Sequence, residues 1–253
     1  MAGTVTPLLI AVKSQNVEQA HQLLLAGVNV QEPGWNPNWT PVRWAVFREN
    51  PDMVDLLVRF GAATTELIEP HAKTLLHLNA ETCAHHEDHE RERRLTEVAR
   101  RLIRHGVDVS ARENRGVTAL HVAAQRCHVA MVRVMLDCQH LNPEQRATDG
   151  LGRQTDGQTA EEMVTSRLTM NLAMAGLAPP GNTALDIIRQ GDIDALREIL
   201  AMLRAEPERR AQERQERQER RAAFAMALIP RLGVASPVAD IEPGLVRMVL
   251  ESP

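Results

Sequence analysis

The chain contains very few aromatic side chains. Its 253 residues include no Tyr, three Phe and three Trp, so aromatics make up 2% of a sequence that is 43% hydrophobic. A single globular core of this length ordinarily relies on Phe and Tyr, whereas stacked small helices need mainly Leu, Val and Ala. The composition therefore favours an extended stack of helices.

Cysteine is scarce as well. The three residues Cys83, Cys127 and Cys138 form no CxxC pair, which argues against a disulfide framework and against a structural zinc finger. No apolar run approaches the length of a membrane span, and no basic segment followed by a hydrophobic stretch opens the chain. We expect a soluble monomer in the cytoplasm or the nucleus, with no membrane partner.

The motifs of catalysis are also missing. The sequence contains no ordered Ser/His/Asp set and no paired carboxylates, and Gly150 and Gly152 lie in a loop without the helix that a dinucleotide site requires. A net charge of −4 gives no reason to expect nucleic acid as a partner. We therefore predict no catalytic residues, no cofactor and no enzymatic activity.

A tetrapeptide that begins with Thr recurs along the sequence. It starts at Thr6, Thr40, Thr74 and Thr118, and the first two intervals are both 34 residues. Thr can cap a helix N-terminus through its hydroxyl, and the Pro that follows the first two Thr is tolerated at the first helical position. A fixed period of this length is typical of a solenoid of stacked helical hairpins, which recognises its partners on an elongated surface.

Glycine is placed to close the second helix of these units. Gly27 and Gly61 each follow the repeat Thr by 21 residues, and Gly106 closes a third unit. A left-handed residue after a helix is most favourable when it is Gly. Apolar residues recur at helical spacing before each of these glycines, but one hairpin is too small to bury them, so neighbouring units must supply the core.

These motifs resemble the ankyrin repeat, whose first helix opens with Thr-Pro-Leu-His-x-Ala-Ala and whose second helix ends in Gly-Ala-Asp-Val. The best single match is Thr-Ala-Leu-His-Val-Ala-Ala at 118–124. The resemblance covers about residues 4–204. It implies an all-α solenoid of about five to six helix-turn-helix units with hairpin loops. We assign an ankyrin-repeat domain to 1–204, a charged helical spacer to 205–223 and an amphipathic segment to 224–253.

Two units depart from the period. From Thr74 to Gly106 there are 32 residues where 21 are expected, and the 11 extra residues fall in the polar run ETCAHHEDHERERR at 81–94, which we call the insertion. We expect longer helices or a protruding loop, exposed to solvent. The fifth unit, from Thr159, is truncated, and the last unit should place its second helix at 193–203 with Asp192 as the N-cap.

Histidines in the insertion raise the question of a metal site. His85 and His89 stand four residues apart, near Cys83, and two His at this spacing can share one metal on a helix. The run is not HExxH and its spacing supplies no fourth ligand, so we predict no metal. The resemblance makes His77 and His121 repeat histidines that hydrogen-bond within the fold.

The charged spacer favours a solvated helix. It contains three pairs in which Glu precedes Arg by four residues, namely Glu206–Arg210, Glu213–Arg217 and Glu216–Arg220. Beyond it, the residues at about 240–251 resemble the opening of an F-box, in which an amphipathic helix docks a cullin-ligase adaptor. Here the Pro is displaced by one position and the Glu precedes it. The alternative is a helix that folds back on the last repeat.

The ankyrin resemblance implies a protein–protein interaction module or scaffold without catalysis, which binds its partner through hairpin tips and the concave face of the first helices. The residues that match this surface are Gln31, Glu32, Trp35, Asn36, Arg43, Phe47, Arg48, Glu113, Asn114, Arg115, Gln125 and Arg126. Trp35 is a candidate hot spot, because Trp is enriched where few residues dominate an interface; the alternative is packing against the neighbouring hairpin. A second hypothesis is a substrate adaptor of a ubiquitin ligase, whose C-terminal helix recruits a cullin-ligase adaptor.

Overall fold

The computed structural model describes residues 6–33, 39–82, 89–138, 141, 143–147, 158–177 and 183–228. Within these ranges the chain forms ten helices and no strand, as the all-α prediction requires. The helices are α1 (Pro7–Lys13), α2 (Val17–Leu25), α3 (Pro41–Phe47), α4 (Pro51–Arg59), α5 (Leu75–Glu81), α6 (His89–Arg104), α7 (Ala119–Gln125), α8 (Val129–Leu136), α9 (Ala160–Leu177) and α10 (Thr183–Leu228). None of the helices in these ranges is long and apolar enough to cross a membrane.

The helices pack in two rows. The first helix of each unit contacts the first helix of the next, from α1 through α3, α5 and α7 to α9, and we call these helices the first-helix row. Helices α2, α4, α6 and α8 contact one another in the same order and form the second-helix row. One contiguous cluster of buried apolar side chains joins the two rows, so each unit depends on its neighbours for its core.

Local residues determine where the helices begin and end. The Thr6 hydroxyl accepts a hydrogen bond from the Leu9 N–H at 3.3 Å. Asn16 and Asn50 cap the second helices through their side-chain oxygens, each at 2.9 Å from a backbone N–H. Caps of this kind contribute about 1 kcal/mol each. After α2, Gly27 adopts a φ of 84°, the left-handed conformation that its position in the repeat predicts.

The turn between the two helices of a unit also uses the left-handed region, but without glycine. Gln15, Glu49 and Cys127 occupy this place in three units and have φ angles of 58°, 56° and 63°. A residue with a β-carbon is less stable than Gly in this conformation. These three turns therefore hold local strain that the packing of the helices offsets.

The core consists of aliphatic side chains. The largest fully buried side chains are all Leu or Met: Leu8, Leu9, Met53, Leu57, Leu75, Leu76, Leu95, Leu102, Leu120, Met131, Met135 and Leu141. No aromatic ring is in this set. The Trp and Phe residues whose burial the structure describes therefore lie outside this fully buried set.

The insertion in the third unit lengthens α6, which has 16 residues. Its first turns do not extend freely into solvent, because Nε of Arg91 donates to Oε1 of Glu49 at 2.6 Å and Glu49 is 7% exposed. The expectation of a wholly exposed insertion is therefore wrong for Arg91, whose side chain reaches a buried carboxylate of the preceding unit. Residues 83–88 lie outside the described ranges.

The predicted helix break before Asp192 does not occur. Helix α10 starts at Thr183 and continues through Gly191, so Asp192 is not an N-cap; its carboxylate lies 3.9 Å from Arg167 of α9. A Gly inside a helix costs about 1 kcal/mol. Complete burial of Leu196 and Ile199 in the next turns outweighs that cost.

A boundary between two compact units falls after Leu203. In the second unit the three predicted ion pairs are present: Glu206–Arg210 at 2.5 Å, Glu216–Arg220 at 2.9 Å and Glu213–Arg217 at 3.9 Å. Such pairs contribute only about 0.3–0.5 kcal/mol each, so they favour a helix without building a core. Residues 229–253, with the F-box-like stretch, lie outside the described part of the chain.

Candidate functional site

The first-helix row presents equivalent side chains from successive units. Four residues after each repeat Thr, the chain places Ile10, Trp44, Leu78 and Val122, so these apolar residues follow one another from α1 to α7. Their exposure falls along the row, from 52% for Ile10 to 9% for Val122. The open end of this apolar stripe therefore lies in the first two units.

Three aromatic rings come together at this end of the row. The ring centroids of Trp39 and Trp44 are 4.5 Å apart, and Phe47 stands edge-on to both, at 5.3 Å from Trp39 and 5.8 Å from Trp44. We call Trp39, Trp44 and Phe47 the aromatic cluster. Phe47 remains 43% exposed, and both Trp rings are half-buried. The cluster is thus an organised part of the surface.

The charges next to the aromatic cluster are positive. Nζ of Lys13, at the end of α1, lies 4.4 Å from the centroid of the Trp44 ring, a cation–π contact. Arg48, which follows Phe47 and caps α3, is exposed. Helices α1 and α3 contain no Asp or Glu. The surface around the cluster therefore combines apolar rings with cations.

Most of the predicted partner-binding residues that the structure describes lie at the surface. The exposed ones are Glu32, Phe47, Arg48, Asn114, Arg115, Gln125 and Arg126. Gln31 is half-buried and Glu113 is 9% exposed. Trp35 and Asn36 lie outside the described residues, so the prediction of a hot spot at Trp35 stays open.

Arg43 is placed differently from the expectation. It is 6% exposed, its Nη2 donates to the carbonyl of Leu67 at 3.1 Å, and Glu66 lies 3.8 Å away. In the third unit the equivalent residue is His77, whose Nε2 donates to the carbonyl of Val117 at 2.9 Å. Arg43 thus performs the structural task of a repeat histidine, and we exclude it from the candidate binding surface.

The repeat histidines hydrogen-bond within the fold, as predicted. Nδ1 of His77 accepts from the Thr74 N–H at 3.3 Å, and Nδ1 of His121 accepts from the Thr118 N–H at the same distance. Burial lowers the pKa of the His121 imidazole to about 4, while the backbone carbonyls of Gln158 and Gln145 act in the opposite direction. Both rings therefore have a structural role.

Hydrogen bonds between neighbouring hairpins hold some of the tip residues in place. The side chain of Gln31 donates to the Gly61 carbonyl at 3.2 Å. Asn114 donates through its backbone to His71 and through its side chain to Pro70, each at 2.9 Å. Neighbouring hairpins are therefore tied to one another through Gln31 and Asn114.

Charged side chains of the second-helix row form ion pairs with one another. Asp55 of α4 accepts from Arg101, and its other oxygen lies 2.7 Å from Nε2 of His105. On α6, Glu97 also pairs with Arg101 and with Arg100. These charges of the two helices are therefore held in ion pairs within and between the helices.

Among the residues that the structure describes, no three His, Cys, Asp or Glu side chains come together as a metal site. His89 is exposed at the start of α6, whereas Cys83 and His85 lie outside those residues. The absence of a metal at the insertion therefore stays a prediction.

The repeat signature agrees with known proteins. Residues 92–136, which span α6 to α8, match the family model described as ankyrin repeats in many copies. These units are therefore similar to ankyrin repeats. An ankyrin repeat protein of Rickettsia felis is 24% identical over 132 residues, which is 52% of this chain and 41% of that protein. The B-cell lymphoma 3 protein homolog of Mus musculus is 32% identical over 134 residues, 51% of this chain and 28% of that protein.

These matches confirm the ankyrin resemblance and indicate a protein–protein interaction module. The chain spans less than half the length of both relatives. The F-box-like resemblance stays a prediction. Reasoning from the sequence did not identify Trp39, Trp44, Ile10 and Lys13 as surface candidates. The equal distance of Ile10 and Trp44 from their repeat Thr was the available signal for two of them.

Proposed function

We propose that this chain is a protein-interaction module or scaffold that binds a protein partner along the first-helix row and the hairpin tips of its ankyrin repeats, without catalysis. The observation that supports this most strongly is the contrast between the two rows. The first-helix row and the turns that end its helices present exposed side chains in the first, second and fourth units, namely Ile10, Phe47, Arg48, Gln125 and Arg126, whereas α5 of the third unit has none. The second-helix row engages its charges in ion pairs with neighbouring helices.

Two double variants of the full chain test this proposal. Arg48→Ala with Arg126→Ala removes two exposed cations from the first-helix row, and Arg93→Ala with Arg100→Ala removes two exposed cations from α6. Both variants change the net charge equally. Affinity capture with quantitative mass spectrometry should show at least one bound protein that is reduced about fivefold or more by the first variant.

The second variant should leave the same protein within about twofold of its wild-type recovery, because exposed cations away from an interface contribute little to affinity. Equal losses with both variants would contradict binding along the first-helix row. Melting temperatures of the purified variants show whether a loss reflects unfolding.

The adaptor hypothesis adds a second binding site at about 240–251, on the basis of the F-box-like sequence alone. Cullin-adaptor subunits captured with the intact chain and lost on truncation at Arg221 would support it. If the truncated chain captures the cullin-adaptor subunits equally well, or if neither chain captures them, the adaptor hypothesis is wrong. The proposal is then an interaction module alone.

A further inference from the structure

We propose that the aromatic cluster, together with Ile10 and Lys13, is the anchor site for an acidic segment of the partner that carries one bulky apolar side chain. This inference rests on the proposed function and specifies the chemistry of the partner. It concerns the first two units alone, so it can fail while binding along the rest of the row holds.

The distribution of aromatic residues is the first argument. The whole sequence contains six Phe and Trp residues, and three of them form the aromatic cluster. None of them is among the largest fully buried side chains, which are Leu and Met, although Trp44 also packs against the core. Half-exposed aromatic rings outside a core are the side chains that most often dominate binding energy at protein interfaces.

The second argument is continuity of the apolar surface. Ile10 occupies the same repeat position as Trp44, on α1, which contacts α3. It is 52% exposed, and Phe47 of α3 is 43% exposed. Scattered single apolar residues are normal on a surface, but exposed apolar residues on two contacting helices, one of which carries a cluster of rings, indicate an interaction site. A bulky apolar side chain from a partner would cover them together.

The third argument is charge. Lys13 and Arg48 lie at the ends of α1 and α3, which contain no carboxylate. Of the acidic residues nearest in sequence, Glu49 pairs with Arg91 of α6 at 2.6 Å and Asp52 lies 3.8 Å from Arg101. Glu18 accepts a hydrogen bond from Gln22 at 2.9 Å, and Glu32 is exposed in the first hairpin. A carboxylate of the partner next to its apolar anchor would therefore find complementary charge.

Peptide selection on the purified full chain tests the proposal without knowledge of the partner. A random twelve-residue phage-displayed library is panned on the immobilised chain, and the enriched peptides are synthesised with a fluorophore for anisotropy titrations. We expect enriched sequences that combine Trp, Phe or Leu with two or more Asp or Glu. Their binding should also shift the emission of the tryptophans of the cluster.

Variants then locate the binding site of these peptides. Phe47→Ser should weaken their binding by about tenfold or more, as expected for a hot-spot residue. Lys13→Glu should weaken it by about threefold to tenfold, with a smaller effect at high salt. Leu25→Ser is the matched control, because Leu25 is an apolar residue of α2 that is 62% exposed, and it should change affinity less than twofold. Arg100→Glu is the corresponding charge control on α6.

Several results would overturn the proposal. Enrichment of basic peptides, or of none, would refute the acidic partner. Acidic peptides that bind Phe47→Ser as tightly as the wild type, but lose affinity for the Arg48→Ala with Arg126→Ala variant, would leave the interaction module intact and refute the anchor site. A dimer in sedimentation that Phe47→Ser abolishes would assign the aromatic cluster to a second copy of the chain.

Discussion

The contact between the insertion and the second unit gives a quantitative test of the packing. Glu49 stands in the turn between α3 and α4, 7% exposed and with a φ of 56°. Its carboxylate accepts from Nε of Arg91 at 2.6 Å and lies 3.5 Å from Nη2 of Arg94. Two separate terms therefore act at one residue: a charged hydrogen bond that stabilises the fold and a backbone conformation that opposes it.

Three substitutions separate these terms. Arg91→Ala leaves the Glu49 carboxylate buried with only the more distant Arg94, and loss of a hydrogen bond to a charged group costs about 2 kcal/mol. Glu49→Ala should cost about 1 kcal/mol, because the two partly exposed Arg side chains can return to water. Glu49→Gly removes the β-carbon as well and should regain about 1 kcal/mol from the left-handed backbone, so its stability should lie near that of the wild type.

Urea unfolding followed by far-ultraviolet circular dichroism measures the order of these variants. We expect Arg91→Ala to be the least stable, Glu49→Ala intermediate and Glu49→Gly the most stable of the three. Arg93→Ala is the control, since the Arg93 side chain is 82% exposed, and should stay within about 0.5 kcal/mol of the wild type. If Glu49→Gly were no more stable than Glu49→Ala, the assignment of backbone strain to this turn would be wrong; if Arg91→Ala matched the control, the insertion would not be docked.

Three further predictions concern the core and its titratable groups. Leu57→Ala should lower the free energy of unfolding by about 2–5 kcal/mol in urea titrations, because Leu57 is completely buried, and a loss below 1 kcal/mol would contradict the packing. Between pH 6.5 and pH 4, His121 should be protonated in the unfolded chain but neutral in the folded chain, because burial lowers its pKa to about 4. The free energy of unfolding should therefore fall by about 2 kcal/mol from pH 7 to pH 5. Urea titrations at both pH values should show a smaller fall for His121→Asn, and an equal fall would exclude His121 as its source. Burial raises the pKa of the Cys127 thiol to about 11, so iodoacetamide at pH 8 should label Cys127 only after unfolding, as peptide mass spectrometry can show.

The sequence by itself determined the features that depend on neighbours three or four residues away. The caps at Thr6 and Asn16, the closing Gly27 and the Glu–Arg pairs of the spacer all act within one helical turn, and the structure contains them, whereas the Thr40 side chain makes no cap hydrogen bond. The period of 34 residues also indicated which helices stack, because equal units place their apolar faces at equal positions.

The tertiary structure alone decided which distant side chains meet. The sequence predicted Arg43 as a binding residue. In the structure its side chain instead donates a hydrogen bond to the carbonyl of Leu67, which lies 24 residues later. The sequence predicted a solvated insertion, but in the structure Arg91 hydrogen-bonds to Glu49, 42 residues earlier in the sequence. No periodicity encodes such contacts, since they depend on how the irregular loops bring the units into register. For the same reason the contact of Lys13 with the Trp44 ring became visible only when α1 and α3 lay side by side.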